Sequence, residues 1–192
     1  DLYFIEFNGT DKSFANPVYF FPQLNSNLHE GPPSFSPDGN EIYFTRTVEG
    51  ERLNKSDKVV QNTLQVFYSK LNKDSSWTNP KSAFYFNSIN YSVFHPSLSK
   101  DGKMIFFASD MPGGVGGTDI YVSFKEKNGR WSQPFNLGPD VNSVDNELFP
   151  FYDNDKNLYF SSNGHPGMGK LDIFKSTYDS LQGWTHVENL RA

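Results

Sequence analysis

The side chains best placed to do chemistry in this chain are carboxylates that return at regular intervals. Asp38, Asp101 and Asp155 each stand in a short polar turn between apolar runs, and Asp119 and Asp172 each open an apolar run behind a Gly-rich loop. Carboxylates so placed can ligate a hard cation, serve as general bases, or hold their own loop by accepting backbone N–H bonds. Asp38 and Asp101 are followed directly by Gly, the pair that suits a tight hairpin, which favours the turn reading. Asp119 and Asp172 recur at one place in the pattern and are read as hydrogen-bonded loop pins rather than general bases.

Other chemistries meet similar objections. Asp153, Asn154 and Asp155 gather oxygen ligands as a calcium loop would, but the sixth-position Gly and twelfth-position Glu of an EF-hand are missing. Asp153 and Asp155 are thus a weak calcium candidate, with an exposed polar turn as the expectation. The Asp turns also lack the Thr-Trp that completes the Asp-box of sialidase propellers. The Gly-rich loops Met111–Thr118 and Gly164–Lys170 each run into a strand, whereas a phosphate cradle ends in Gly-Lys-Ser/Thr and opens a helix. His29, His95, His165 and His186 do not pair at ligand spacing, no Gly-x-Ser-x-Gly elbow occurs, and there is no Cys to form a disulfide or thiolate site. The expectation is a protein without catalytic residues, cofactor or bound metal.

Aromatic residues offer a third possibility. Trp77, Trp131 and Trp184, with Pro80 and Pro134, could line a sugar groove, yet each Trp keeps a fixed offset from the strand before it, which predicts core packing at one repeated place. The irregular polar stretch Glu49–Asn62, with Glu49, Arg52, Lys55, Asp57 and Lys58, is the candidate partner loop, because partners are often met on irregular loops of a rigid scaffold.

These residues are positioned by a repeat. One unit carries Pro33, Asp38-Gly39, Ile42-Tyr43-Phe44, Val66-Phe67-Tyr68 and Trp77; the next carries Pro96, Asp101-Gly102, Ile105-Phe106-Phe107, Ile120-Tyr121-Val122 and Trp131. The last carries Pro150, Asp155-Lys156, Leu158-Tyr159-Phe160, Ile173-Phe174 and Trp184, with Lys156 in the Gly place and hence a different turn expected. Pro33 to Pro96 is 63 residues and Pro96 to Pro150 is 54, and the nine-residue excess falls entirely in the loop between Phe44 and Gln65. Such a period, with four strand-like segments per unit, is that of a propeller blade. The middle strands are continuous apolar runs, as expected when both faces are covered by neighbouring blades.

The expected architecture is all-β: a β-propeller of about three and a half four-stranded blades belonging to a larger six- or seven-bladed ring. Residues 1–26 would be the second half of a blade, with Asp1–Phe7 a buried strand, and 27–90, 91–142 and 143–192 would be full blades, the first with a polar insertion at about 47–63. The missing blades are expected from flanking sequence. Composition agrees: 17% aromatic residues with 15 Gly and 12 Pro suit short strands and tight turns. A formal net charge of −5 without a Lys/Arg cluster argues against nucleic acid as a partner. No apolar run approaches the roughly 20 residues of a membrane-spanning helix.

The motifs HPSLSKDGKMIFFAS with GGTDIYVS, and FPFYDNDKNLYFSSNGHPGMGKLDIFKS, resemble the WD-like propeller repeat of the TolB type over about Asn27 to Leu190. The Gly-rich link followed by Asp-Ile-Tyr or Asp-Ile-Phe resembles more narrowly the propeller of PorE-like, OmpA-family envelope proteins of type IX-secreting bacteria. The first unit departs with Gln65 where the others have Asp119 and Asp172, and no residue matches the family's OmpA-like motif. The resemblance implies a periplasmic protein, or a lipoprotein on the periplasmic face of the outer membrane. It would act as a non-catalytic scaffold for envelope proteins, including outer-membrane secretion or gliding components, and be linked to peptidoglycan through a domain outside these residues. Two other classes remain open: the propeller of a prolyl-oligopeptidase-like serine peptidase, and a carbohydrate-binding propeller.

Overall fold

A computed structural model of the chain describes residues 1–50, 61–153, 155–185 and 187–191. At the N-terminus β1 (Tyr3–Phe4) pairs with β4 (Val18–Tyr19), and β2 (Phe7–Asn8) with β3 (Ser13–Phe14), forming one antiparallel hairpin in two short ladders. Of the run Asp1–Phe7 only Leu2 is buried, while Tyr3, Phe4, Ile5 and Phe7 are exposed, which corrects the expected buried strand. The reason is that one side of the hairpin packs on the following sheet and no other sheet covers its opposite side among the described residues.

Three larger antiparallel sheets follow, each laid down in chain order. The first is β5 (Glu30–Phe35), β6 (Glu41–Val48), β7 (Thr63–Lys70) and β8 (Lys81–Ser82); the second is β9 (Val93–Leu98), β10 (Met104–Ser109), β11 (Asp119–Phe124) and β12 (Phe135–Asn136). The third is β13 (Glu147–Tyr152), β14 (Asn157–Ser162) and β15 (Asp172–Asp179), with both β16 (Gly183–Trp184) and β17 (Glu188–Asn189) paired to β15.

The alternation of side chains along β6, β10 and β14 explains the stacking. Ile42 and Phe44 face the N-terminal hairpin and join Leu2, Leu24 and Trp77. The intervening Tyr43 faces the second sheet and meets Ile105, Phe107 and Trp131. One step on, Phe106 and Ala108 face the third sheet and meet Leu158, Phe160 and Phe174. Each apolar run therefore serves two cores, which is why it is continuous. Burial of one such Phe contributes about 1.5–3 kcal/mol.

The first strands β5, β9 and β13 lie side by side and are tied across the sheets. The Ser34 hydroxyl accepts the Leu98 N–H at 2.9 Å, and the Ser97 hydroxyl accepts the Tyr152 N–H at 3.4 Å. Face-to-face sheets with their first strands gathered together are blades of a β-propeller: three complete ones and a hairpin in the position of a partial fourth. No described helix is long and apolar enough to cross a membrane.

Candidate functional site

The regularly spaced carboxylates close their own turns. Asp38 accepts the Ser36 hydroxyl at 2.6 Å and the Asn40 backbone N–H at 3.1 Å, and these bonds, the Ser36 one foremost, hold its carboxyl at about 2. Asp101 repeats this with Ser99 at 2.6 Å and the Lys103 N–H at 3.0 Å.

In the third blade the turn-closing carboxylate is Asp153, not Asp155. Asp153 accepts the backbone N–H of Asp155 at 2.8 Å and of Asn157 at 2.9 Å, and the Asn157 side chain besides. That hairpin is one residue shorter, so Asp153 stands where Ser36 and Ser99 receive the N–H of Glu41 and Met104, and it closes the turn unaided. Lys156 takes φ 63°, the left-handed conformation that Gly39 (71°) and Gly102 (67°) supply elsewhere. Both oxygens of Asp153 are thus engaged by its own turn. Among the described residues no group of three His, Asp or Glu is placed to hold a metal ion, and Asn154 lies outside them.

Asp119, almost wholly buried, accepts the backbone N–H of Val115 and, at 3.1 Å, of Gly116, and the Asn136 side chain at 2.7 Å. Asp172 accepts the N–H of Met168 at 2.6 Å and of Gly169 at 3.3 Å. Gln65, at the same place in the first blade, instead donates to the Ser88 carbonyl at 3.0 Å. The Gly-rich loops that these groups hold also need their glycines for close approach. A Cβ on Gly116 would meet the backbone of Ser143 and Val144.

Trp131 packs against Tyr43 of the preceding blade with ring centroids 5.8 Å apart, and Trp184 against Phe106 at 6.1 Å. Trp77 packs on Phe20, Phe21 and Phe35. Glu49 of the candidate partner loop is exposed, whereas Arg52, Lys55, Asp57 and Lys58 lie outside the described residues, as does His186.

One cluster has the composition of a hydrolytic triad without its geometry. Glu147 is fully buried and accepts the hydroxyls of Ser143 and Ser162, each at 2.6 Å, while His165 Nε2 lies 2.8 Å from the Val141 carbonyl. A carbonyl only accepts, so Nε2 carries the proton, and both hydroxyls are spent on the carboxylate rather than held ready as nucleophiles. His95 lies on the first strand of its blade, its ring stacked on Phe149 at 3.7 Å and its Nδ1 accepting the Phe149 N–H at 3.3 Å. Burial pushes its pKa down to about 4.

Two places escaped the reading of the sequence. Phe151 occupies the position at which Ser34 and Ser97 join one blade to the next, and with Ile173 it makes an uncovered apolar face on the third blade. Comparing the residue after each repeated Pro would have singled it out. The other is a cleft between the first and second blades holding Glu41, Lys70, Lys125 and Arg130. Its signal was a set of charges present in one repeat and absent from another.

No family model matches the chain, and no curated protein does. Among solved structures, TolB from Acinetobacter baumannii aligns with 91% of this chain at TM-score 0.51 and 19% identity, over 34% of its own length. The tricorn protease aligns with 98% of this chain at TM-score 0.55 and 9% identity, over 20% of its own length. A putative TolB from Agrobacterium tumefaciens aligns with 97% at TM-score 0.48 and 15% identity, over 68% of its length. The chain thus spans about a third of the first structure and a fifth of the second. At such identities the likeness establishes the β-propeller fold alone.

Proposed function

We propose that this chain is a non-catalytic protein–protein interaction scaffold of the bacterial cell envelope. The observation that carries this reading is how the side chains are used. The regularly placed polar groups close turns and tie blade to blade, while Phe151 and Ile173 at one end and Phe7, Phe14 and Tyr19 at the other remain uncovered. Apolar faces on rigid sheets mark association surfaces. On this reading 1–26, 27–90, 91–142 and 143–192 are successive propeller units, further blades from flanking sequence cover both faces, and the ring closes with six or seven blades. Loops and a central funnel are then left for protein partners.

The finer assignment is to type IX secretion or gliding machinery, on the periplasmic side of the outer membrane, with a link to peptidoglycan made by another domain. It is supported by the Gly-rich links and the Asp-Ile-Tyr and Asp-Ile-Phe segments that resemble the PorE-like family. Intact mass and peptide mapping of the natural polypeptide, followed by in-cell cross-linking and mass spectrometry, test both levels. The expected result is an OmpA-like domain in the same polypeptide and cross-links from blade loops to outer-membrane components. Labelling of that polypeptide by a fluorophosphonate probe of serine hydrolases would move the assignment to a peptidase.

A further inference from the structure

The first two blades meet in a cleft of about 650 Å³, within the size range of small-molecule sites. The first blade contributes Glu41, Tyr68 and Lys70, the second Lys125, Arg130 and Trp131, and Tyr85 stands at the rim 74% exposed. The Glu41 carboxylate lies 2.7 Å from Lys70 Nζ and 3.2 Å from Lys125 Nζ, and it accepts the Tyr43 hydroxyl at 2.9 Å. Burial works against its charge, but Lys70, Tyr43 and Lys125 outweigh burial and hold the carboxyl below its ordinary range. Among the described residues Arg130 has no carboxylate partner. Three cations against one carboxylate make the cleft locally positive on a chain whose formal charge is −5.

The repeat supplies an internal control. At the junction of the second and third blades the residues in the places of Glu41, Tyr68 and Lys70 are Met104, Val122 and Phe124, and those in the places of Lys125 and Arg130 are Tyr178 and Gly183. None of the five is charged, yet the Trp is kept and packs in the same way. Stacking one blade on another therefore requires the Trp and not the charges. Glu41, Lys70 and Lys125 pair with one another across the junction, which leaves Arg130 as the charge available to a ligand.

We propose that this cleft binds an acidic sugar residue. The guanidinium of Arg130, aided by the two lysines, takes the sugar carboxylate through charge-assisted hydrogen bonds. Glu41, already ionised and fixed by its neighbours, accepts ring hydroxyls together with Ser82, and the exposed Tyr85 ring offers an apolar face to the sugar. A bare anion would leave the exposed Tyr85 ring without a role, and a neutral sugar would leave Arg130 without one. This inference does not rest on the scaffold reading.

Calorimetric titration of the full natural polypeptide with methyl β-D-glucuronide, methyl β-D-glucoside, sodium acetate and the dipeptide Glu-Tyr tests it. The glucuronide is expected to bind about tenfold or more tightly than the glucoside, the worth of one charge-assisted contact, and to weaken as salt is raised. Arg130→Ala and Tyr85→Ala, both at exposed positions, should each weaken the glucuronide roughly tenfold while leaving the thermal midpoint in place. Acetate binding as tightly as the glucuronide, or preference for the dipeptide, would overturn the proposal. So would the lack of saturable glucuronide binding up to roughly 10 mM, a weak limit for a specific site, or an affinity unchanged in both variants.

Discussion

The middle blade and the N-terminal hairpin are made from the same kinds of residue, and their environments are opposite. In β10 the run Ile105–Ala108 is wholly buried because a blade lies on either side of it, whereas Phe7 and Phe14 of the hairpin touch each other and little else. Phe107 and Phe14 are chemically identical, so the difference lies in what stands beside them. In a stack of sheets, burial belongs to the junction between neighbours and not to the strand.

The largest test of this contrast is truncation. Phe107→Ala should cost about 3–5 kcal/mol in denaturant unfolding, while Phe14→Ala, 71% exposed, should fall within about 0.5 kcal/mol. Equal losses would break the comparison. A smaller effect separates the carboxylates of the two regions. Asp119→Ala leaves the Val115 and Gly116 amides unpaired beside a buried site and should cost about 2 kcal/mol, with faster hydrogen exchange at those amides. Asp11→Ala, which removes similar bonds to Ser13 on the exposed hairpin, should leave the unfolding midpoint where it is.

The smallest expected effect sharpens the contrast through pH. His95 has its pKa lowered from 6.5 to about 4 by burial, so the unfolded chain takes up its proton first as pH falls. Its contribution to stability is complete above pH 6.5 and is lost between there and pH 4, by roughly 1 kcal/mol after discounting for partial exposure. Asp38, held at about 2 against an ordinary 3.8, loses its contribution only as pH falls from 3.8 towards 2, below the His95 window. Urea unfolding of His95→Phe across roughly pH 5–7 should therefore be flat where the parent slopes. A slope retained in the variant would place the titrating group elsewhere.

Much of the fold is legible in spacing. The Asp-Gly pairs, the apolar triplets and the Trp offsets each depend on residues a few positions apart, so the hairpins and the repeating core follow from local rules. In the third blade a different turn is expected from Lys156 in the Gly place, but Asp153 and Asp155 are both plausible from composition, and only the geometry of a hairpin one residue shorter selects Asp153. Phe151 could be read as one more strand aromatic until the Ser34 and Ser97 contacts gave its position a meaning.

What the amino-acid sequence determined by itself is the blade: four strands, their turns, and the residues that alternate between two cores. What only the tertiary structure decided is which blade faces have neighbours and which distant charges meet. Glu41 and Lys125 are 84 residues apart and come within 3.2 Å because two blades stack at that rim. Local periodicity carries no information about such a meeting, since each side chain's pattern is complete within its own strand and the cleft forms only when the sheets are laid together.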